Sequence, residues 1–405
     1  MALSRNIIVE EFKQLPLEKQ GLEIVERKGL GHPDTICDSI LDRVSVELSK
    51  TYLKKFGQVM HHNTDKSLLV AGEVETKFGG GEVKQPMLLI FGDRATSEVG
   101  GVDIPIKEIA IRTAKKWLKQ NLRFVDPEVH MRYQVELKPG SAALTDIFRR
   151  KNTICGANDT SAAVGYAPMS GTEALVLAVE RFINSKRFKK DFPESGEDVK
   201  VMGIRKNDTV NLTISMAFVD RFVESENDYF KKKEEILEEL RRFVRESSDF
   251  HKVNVDLNTL DARGRGVNGV YLTVLGTSAD GADSGQVGRG NRPNGVIPLN
   301  RHVGSEAAAG KNPVSHVGKI YNILTHKIAE SIYTQVPGME EVYVWLVSQI
   351  GRPVDQPMIA AARVILKEGT TLEAVKKDIE NTIDRELQGI EKFCDALAHG
   401  KIQIC

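Results

Sequence analysis

Between residues 34 and 55, Ile36, Ile40, Leu41, Val44, Leu48 and Tyr52 recur at helical spacing, and Pro33 suits a first helical turn. The pattern predicts one amphipathic helix there. Two short apolar runs follow, 67–74 and 86–92. The cluster Gly79-Gly80-Gly81 between them predicts a hairpin with a loose loop. Residues 104–122 read as helix and 128–137 as strand. A second hairpin is expected at 198–205 and 209–219, with Lys206-Asn207-Asp208 as its turn. Residues 228–246 form a charged amphipathic helix, and 267–275 read as a strand. A long irregular stretch, 276–312, is rich in glycine and asparagine. Loops of that length inside compact domains are usually functional or disordered. Helices are expected at 314–336 and 371–397, with strands at 341–350 and 359–366.

The coarse picture is α+β: several sheets, each with helices packed on one side. No repeat of solenoid period stands out, and no low-complexity linker divides the chain. The one G-x-G-x-x-G match, Gly264 to Gly269, sits before a strand rather than after one. That is the wrong position for a dinucleotide site.

With 405 residues the chain has room for two or three domains or subdomains and a substantial core. Lys+Arg and Asp+Glu are both 56, which argues against broad nucleic-acid binding. No apolar run approaches a membrane span, and the N-terminal segment turns acidic too early for a secretory signal. A cytoplasmic protein is expected. Cys37, Cys155, Cys394 and Cys405 form no C-x-x-C pair, so neither a zinc site nor a thioredoxin-like motif is indicated.

Three stretches carry chemistry. The first is Gly29-Leu30-Gly31-His32-Pro33-Asp34, followed by Asp38 and Asp42. Asp34, Asp38 and Asp42 are spaced four apart and share one helix stripe. Carboxylates at a helix start can hold Mg²⁺, and the histidine can donate a hydrogen bond to a phosphate or leaving oxygen. Helix capping plus a solvated acidic face also explains them, above all Asp42. The second stretch is Gly156-Ala157-Asn158-Asp159-Thr160-Ser161. Asp159 suits a ribose hydroxyl or an amine, and an Asx turn ahead of a helix explains it equally.

The third lies in the long loop: Asp283, Gly285, Gly288 and Arg289, then Ala309-Gly310-Lys311-Asn312-Pro313 and His316. Arginine and lysine suit polyphosphate, and Asp283 suits a metal or an ammonium group. A Walker A reading fails. Gly304 to Gly310-Lys311 has one residue too many, and Asn312 stands where Ser or Thr must bind Mg²⁺. Two weaker features remain. Lys138-Pro139-Gly140-Ser141 reads as a turn that can approach a nucleotide. Glu73 and Lys200 sit in or beside strands, where an exposed polar face is the simplest reading.

Together these motifs resemble the S-adenosylmethionine synthetase (methionine adenosyltransferase) family, in its archaeal-type branch. Gly31-His32-Pro33-Asp34 resembles the family's G-H-P-D segment, and Gly156-Ala157-Asn158-Asp159 its G-A-x-D segment. The run from Asp283 to Arg289 resembles D-x-G-x-x-G-R, and Ala309 to Pro313 resembles S/A-G-K-D/N-P. Four such segments in order are specific where one alone is weak.

The resemblance implies a reaction. Methionine sulfur attacks C5′ of ATP, tripolyphosphate leaves, and the enzyme hydrolyses it to pyrophosphate and phosphate. It also implies roles. His32, Arg289, Lys311 and Lys200 would be catalytic. Gly140, Ser141, Asp159 and His316 would bind the ATP nucleoside, and Glu73 and Asp283 the methionine. Asp34 and Asp38 would hold metal, with two Mg²⁺ per site. A homodimer is implied, paired sheet to sheet with active sites between the chains. So are three similar subdomains about a pseudo-threefold axis, near 1–150, 151–255 and 256–405, with segments able to interleave.

Some positions depart from the better-known bacterial and eukaryotic branch. Thr35 stands where that branch has lysine after G-H-P-D. Gly290 replaces a basic residue, and a later lysine position is His316, with Lys319 one turn on. The acid used there for potassium has no clear counterpart near His61-His62-Asn63, which leaves potassium dependence open. The competing readings are an ATP-dependent small-molecule phosphotransferase and a non-catalytic nucleotide-binding regulator.

Overall fold

The computed structural model describes residues 5–140, 148 and 154–404. Three main sheets share one plan. In the first, Leu22–Lys28, Ser195–Lys206 and Thr209–Val219 run antiparallel in that order, and Lys252–Leu257 closes the edge parallel to Thr209–Val219. In the second, the order is Gly285–Gln286, Leu68–Val70 and Met87–Ala95, with Met131–Lys138 parallel at the edge. In the third it is Ala162–Ala167, Met339–Val347 and Ile359–Leu366, with Ile7–Glu11 parallel at the edge. Each sheet thus has the same strand order and sense. The sheets are stitched from distant segments: Ile7–Glu11 completes the third, and Gly285–Gln286 completes the second.

Helices pack on one side of each sheet. Gly171–Ile183 and Glu226–Ser247 cover the first, and Pro33–Phe56 and Ile106–Asn121 the second. Val317–Gln335 and Leu372–Gln388 cover the third. Pro33–Phe56 buries Ile36, Ile40, Leu41, Val44, Leu48 and Tyr52, the stripe its sequence foretold. It ends where Gly57 adopts φ 71°, a left-handed cap that glycine takes without strain.

Several expectations need correction. Residues 267–275 are not a strand. Gly266–Gly269 is a 3-10 turn and only Leu272–Thr273 pairs, beside Thr209–Val219. The C-terminal helix is two helices, Leu372–Gln388 and Ile390–Ala398, broken at Gly389. Leu22–Lys28 escaped notice because its alternation is inverted. Glu23 and Arg27 point inward, while Leu22 is exposed. Glu23 pairs with Arg205 at 3.0 Å and Arg27 with Glu180 at 2.5 Å, so the buried charges are compensated.

The loop 276–312 is irregular but not loose. At its far end Arg301 lies between Glu341 at 2.7 Å and Glu173 at 3.2 Å, with its guanidinium stacked over Tyr166. The loop is therefore fastened to the third sheet at one end and to the start of Pro33–Phe56 at the other.

Candidate active site

His32 is the N-cap of helix Pro33–Phe56, and its Nδ1 accepts the Asp34 N–H at 3.2 Å. An imidazole that accepts at Nδ1 carries its proton on Nε2, so the ring presents a donor. Burial pushes the His32 pKa down, against the opposing pull of Asp198 and Asp34, and so favours that neutral ring. The first four helix N–H groups lack helical partners, which makes this end attractive to anions.

The carboxylates Asp34, Asp38 and Asp42 follow down one stripe, and each meets a different partner. Asp34 accepts the Gln286 N–H at 2.9 Å through Oδ1 and the Lys28 ammonium at 2.9 Å through Oδ2. Asp38 accepts the Gly288 N–H at 2.8 Å. Burial raises its pKa to about 7 despite that bond, and Asp34 raises it further. Asp42 is no solvated acid: it is buried and bonds Lys319 at 2.6 Å.

Close backbone approach explains two glycines here. A Cβ on Gly31 would come within 2.5 Å of the Asp198 nitrogen, and one on Gly285 within 2.1 Å of the Pro33 carbonyl oxygen. The Gly31 N–H donates to the Glu197 carbonyl at 2.9 Å, and its carbonyl accepts the Thr277 hydroxyl at 2.7 Å. A bulge between Ser195 and Val199 turns Asp198 toward this junction. There Asp198 accepts the Ser278 N–H at 2.8 Å and its hydroxyl at 2.5 Å.

Asp283 is exposed, its N–H bonded to the Ser278 carbonyl at 2.9 Å, and its charge acts on His32. The strand bearing Glu73 is tied to the same loop. Ala71 N–H bonds Ser284 Oγ at 3.1 Å, and Gly72 N–H bonds the Ala279 carbonyl at 3.0 Å. Glu73 itself is exposed and accepts from Gln85 at 3.0 Å. Lys200 lies opposite Lys28 in the sheet and pairs with Glu26 at 3.3 Å. Arg289 is exposed and makes no ion pair with the described residues. His32, Asp34, Asp38, Asp283 and Arg289 therefore gather at one end of Pro33–Phe56.

The other candidates form a second cluster, further along the same helix. Ser45 on that helix bonds the Lys311 carbonyl at 2.8 Å and His62 at 2.9 Å. From Asp34 to Ser45 the helix rises roughly 16 Å at ~1.5 Å per residue. A cavity of about 450 Å³ opens there, lined by Gly140, Asn158, His316, Asp93 and His61 among others. Buried Lys311 bonds Asp65 at 2.6 Å and Glu306 at 3.0 Å. Burial pushes Asp65 up, but Lys311 outweighs it and holds the acid at about 2. His316 caps helix Val317–Gln335, and burial together with Lys311 pushes its pKa to about 3. Asp159 follows the lining residue Asn158, and its Oδ1 accepts the N–H of the adjacent Thr160 at 2.7 Å; no helix follows, since the chain runs into the strand Ala162–Ala167. Ser141 lies outside the described residues.

Three polar atoms at this cavity lack partners among the described residues: His61 Nδ1, Asn63 Oδ1 and Asn158 Oδ1. Buried polar atoms are normally paired, so they suit a bound polar group. Sequence reasoning missed Lys28, Asp198, Asp65 and Asp93. Asp93 carried no signal, although its backbone holds φ 104°, rare for a residue with a Cβ.

Among the described residues no three His, Cys, Asp or Glu side chains converge as a closed metal site. Magnesium seldom needs one. It keeps waters and takes one or two carboxylates plus substrate phosphates, and Asp34 beside a phosphate site fits that habit.

The chain matches the family model for S-adenosylmethionine synthetase (AdoMet synthetase) over residues 5–401. It is 46% identical over 402 residues to an S-adenosylmethionine synthase of Methanothrix thermoacetophila, covering 99% of this chain and 100% of that one. It is 46% identical to the one from Pyrococcus furiosus, at the same coverage. A probable S-adenosylmethionine synthase of Aquifex aeolicus is 46% identical over 95% of this chain and 96% of that one. An unusual S-adenosylmethionine synthetase from Campylobacter jejuni shares the fold, with a TM-score of 0.59 and 15% identity over 94% of each chain.

Proposed function

This chain belongs to the S-adenosylmethionine synthetase family, as a methionine adenosyltransferase that makes S-adenosylmethionine from ATP and L-methionine; from that premise we propose which residues do the work. The observation that carries the reading is the neutral His32, offering Nε2–H at a helix N-terminus beside Asp34.

Methionine sulfur attacks C5′ and the C5′–O5′ bond breaks. Negative charge builds on O5′, and His32 donates to it there. A donor aimed at developing charge acts selectively on the transition state. Arg289 and Lys200 hold the departing polyphosphate, joined by Lys311. Divalent metal belongs to the family's chemistry; we assign two Mg²⁺, which would offset phosphate charge, with Asp34 as a ligand. Asp38, the other metal candidate, faces the Gly288 N–H, so we assign it to holding the loop. Asp283 and Glu73 receive the methionine ammonium end. Gly140, Asp159 and His316 receive the nucleoside, with Ser141 following Gly140. The tripolyphosphate is then hydrolysed to pyrophosphate and phosphate. No potassium site enters this reading.

The two clusters suggest a shared site. We assign each active site to a homodimer interface, with the His32 end from one chain and the Lys311–His316 end from its partner. Exposed Leu22, Ile204 and Leu299 on the uncovered side of the first sheet support sheet-to-sheet pairing. The common strand plan supports three repeats about a pseudo-threefold axis, near 1–150, 151–255 and 256–405. The strands Ile7–Glu11, Leu22–Lys28, Ala162–Ala167 and Gly285–Gln286 cross between them. No helix among the described residues is long and apolar enough to cross a membrane, and we assign the protein to the cytoplasm.

Product analysis tests the reaction. ATP with methionine should give a sulfonium product, with pyrophosphate and phosphate released together. ADP with a phosphorylated acceptor would favour the phosphotransferase instead.

A further inference from the structure

Lys28 has no role in the scheme above, yet nearly every polar atom it carries is held. Its N–H donates to Asn291 Oδ1 at 3.0 Å, and its carbonyl accepts Asn291 Nδ2 at 2.7 Å and the Thr35 hydroxyl at 3.1 Å. Asn291 belongs to the long loop and Thr35 to the first turn of the helix. The ammonium reaches into the space between them, bonding Asp34 Oδ2 at 2.9 Å and the Arg289 carbonyl at 2.6 Å. The side chain is 14% exposed.

The charges around it make the arrangement informative. The charges that act most on His32 are those of Asp198, Asp34, Lys28 and Asp283. Of these four, three are acids and Lys28 is the cation. A polyphosphate entering here meets carboxylates whose repulsion must be offset. Thr35 supplies no charge from the first turn; its hydroxyl instead holds the backbone of Lys28. An ammonium has three N–H donors, and two are spent on Asp34 and Arg289. Among the described residues the third meets no acceptor and can be given to an anion, and the cation is already fixed beside the helix end that attracts one.

We propose that Lys28 is a phosphate-binding residue of this active site, giving its remaining N–H to the tripolyphosphate while it holds Asp34 and the loop carrying Arg289. The proposal rests on the assignment of the His32–Asp34 end to polyphosphate. It supplies from the strand Leu22–Lys28 the positive charge that Thr35 lacks.

The test is the inhibition constant of inorganic tripolyphosphate with Mg²⁺, measured on the intact protein. Lys28→Met should raise it about tenfold or more, because a charge-assisted bond is lost. Lys28→Arg should recover much of that loss, with thermal unfolding used to show that both variants fold. Lys28→Met should also weaken tripolyphosphate in an Asp34→Asn background. If its effect vanishes there, Lys28 acts only by holding Asp34 and the proposal falls. An unchanged constant in Lys28→Met alone overturns it too. Arg289→Met separates the two claims. If it weakens tripolyphosphate while Lys28→Met does not, only the role of Lys28 fails. If neither variant does, the polyphosphate assignment itself fails.

Discussion

The Asp38 carboxylate accepts the Gly288 N–H at 2.8 Å across 250 positions of sequence. With the Asp34–Gln286 bond one turn earlier, it fixes the loop carrying Arg289 against the start of the helix. Asp38→Ala would leave a backbone donor without its acceptor, at a cost of about 1–3 kcal/mol. The expected result is a fall in kcat/KM of roughly tenfold or more, at about 1.4 kcal/mol per decade. Asp38→Asn keeps an acceptor oxygen and should stay nearer the parent. Steady-state kinetics on both variants checks this; equal losses would contradict the loop-holding role.

A shared active site makes a prediction about mixed dimers. His32→Ala and Asp159→Ala remove residues from opposite clusters. Chains carrying one change each, unfolded and refolded together in equal amounts, should form hybrids with one intact site. Random pairing restores about a quarter of parental activity in a twofold dimer. If the mixture shows no more activity than the two variants separately, both clusters serve one site within a single chain.

Lys189 is buried, its ammonium bonded to the Gly196 carbonyl at 2.6 Å and the Ser195 hydroxyl at 3.3 Å. Burial lowers its pKa to about 7, although Glu197 pulls the other way. In the unfolded chain a lysine titrates near ~10.4. Between those values the unfolded chain binds the extra proton, so this group adds stability as pH rises from about 7 to about 10. Lys189→Met should abolish that contribution. Its melting temperature relative to the parent should therefore be most favourable near pH 7 and decline toward pH 10. A difference independent of pH would contradict the buried neutral amine.

Much of this was legible in the sequence because the physics was local. The stripe from Ile36 to Tyr52 gave the central helix, and Asn207-Asp208 gave the hairpin turn between two long strands. His32 stood out as a candidate because it lies with Pro33 and Asp34, after two glycines, just ahead of that stripe. What stayed hidden depended on distant partners. Leu22–Lys28 hides its pairing because its charged positions Glu23 and Arg27 are buried against Arg205 and Glu180. Asp42 read as solvated because Lys319, its partner, is 277 positions away. Lys28 carried no signal of its own, because its meaning comes from the loop that folds over it. The equivalence of the three sheets was hidden for the same reason, since each of them borrows a strand from elsewhere in the chain.

The central claim is that His32 acts on the leaving oxygen rather than in holding ATP. Rapid-quench single turnover of His32→Ala with saturating ATP and methionine tests it most directly, alongside equilibrium binding of ATP. The account predicts ATP affinity close to the parent and a sulfonium-forming rate lower by roughly 10²–10³, the range for losing one donor to developing charge. A single-turnover rate equal to that of the parent would contradict it.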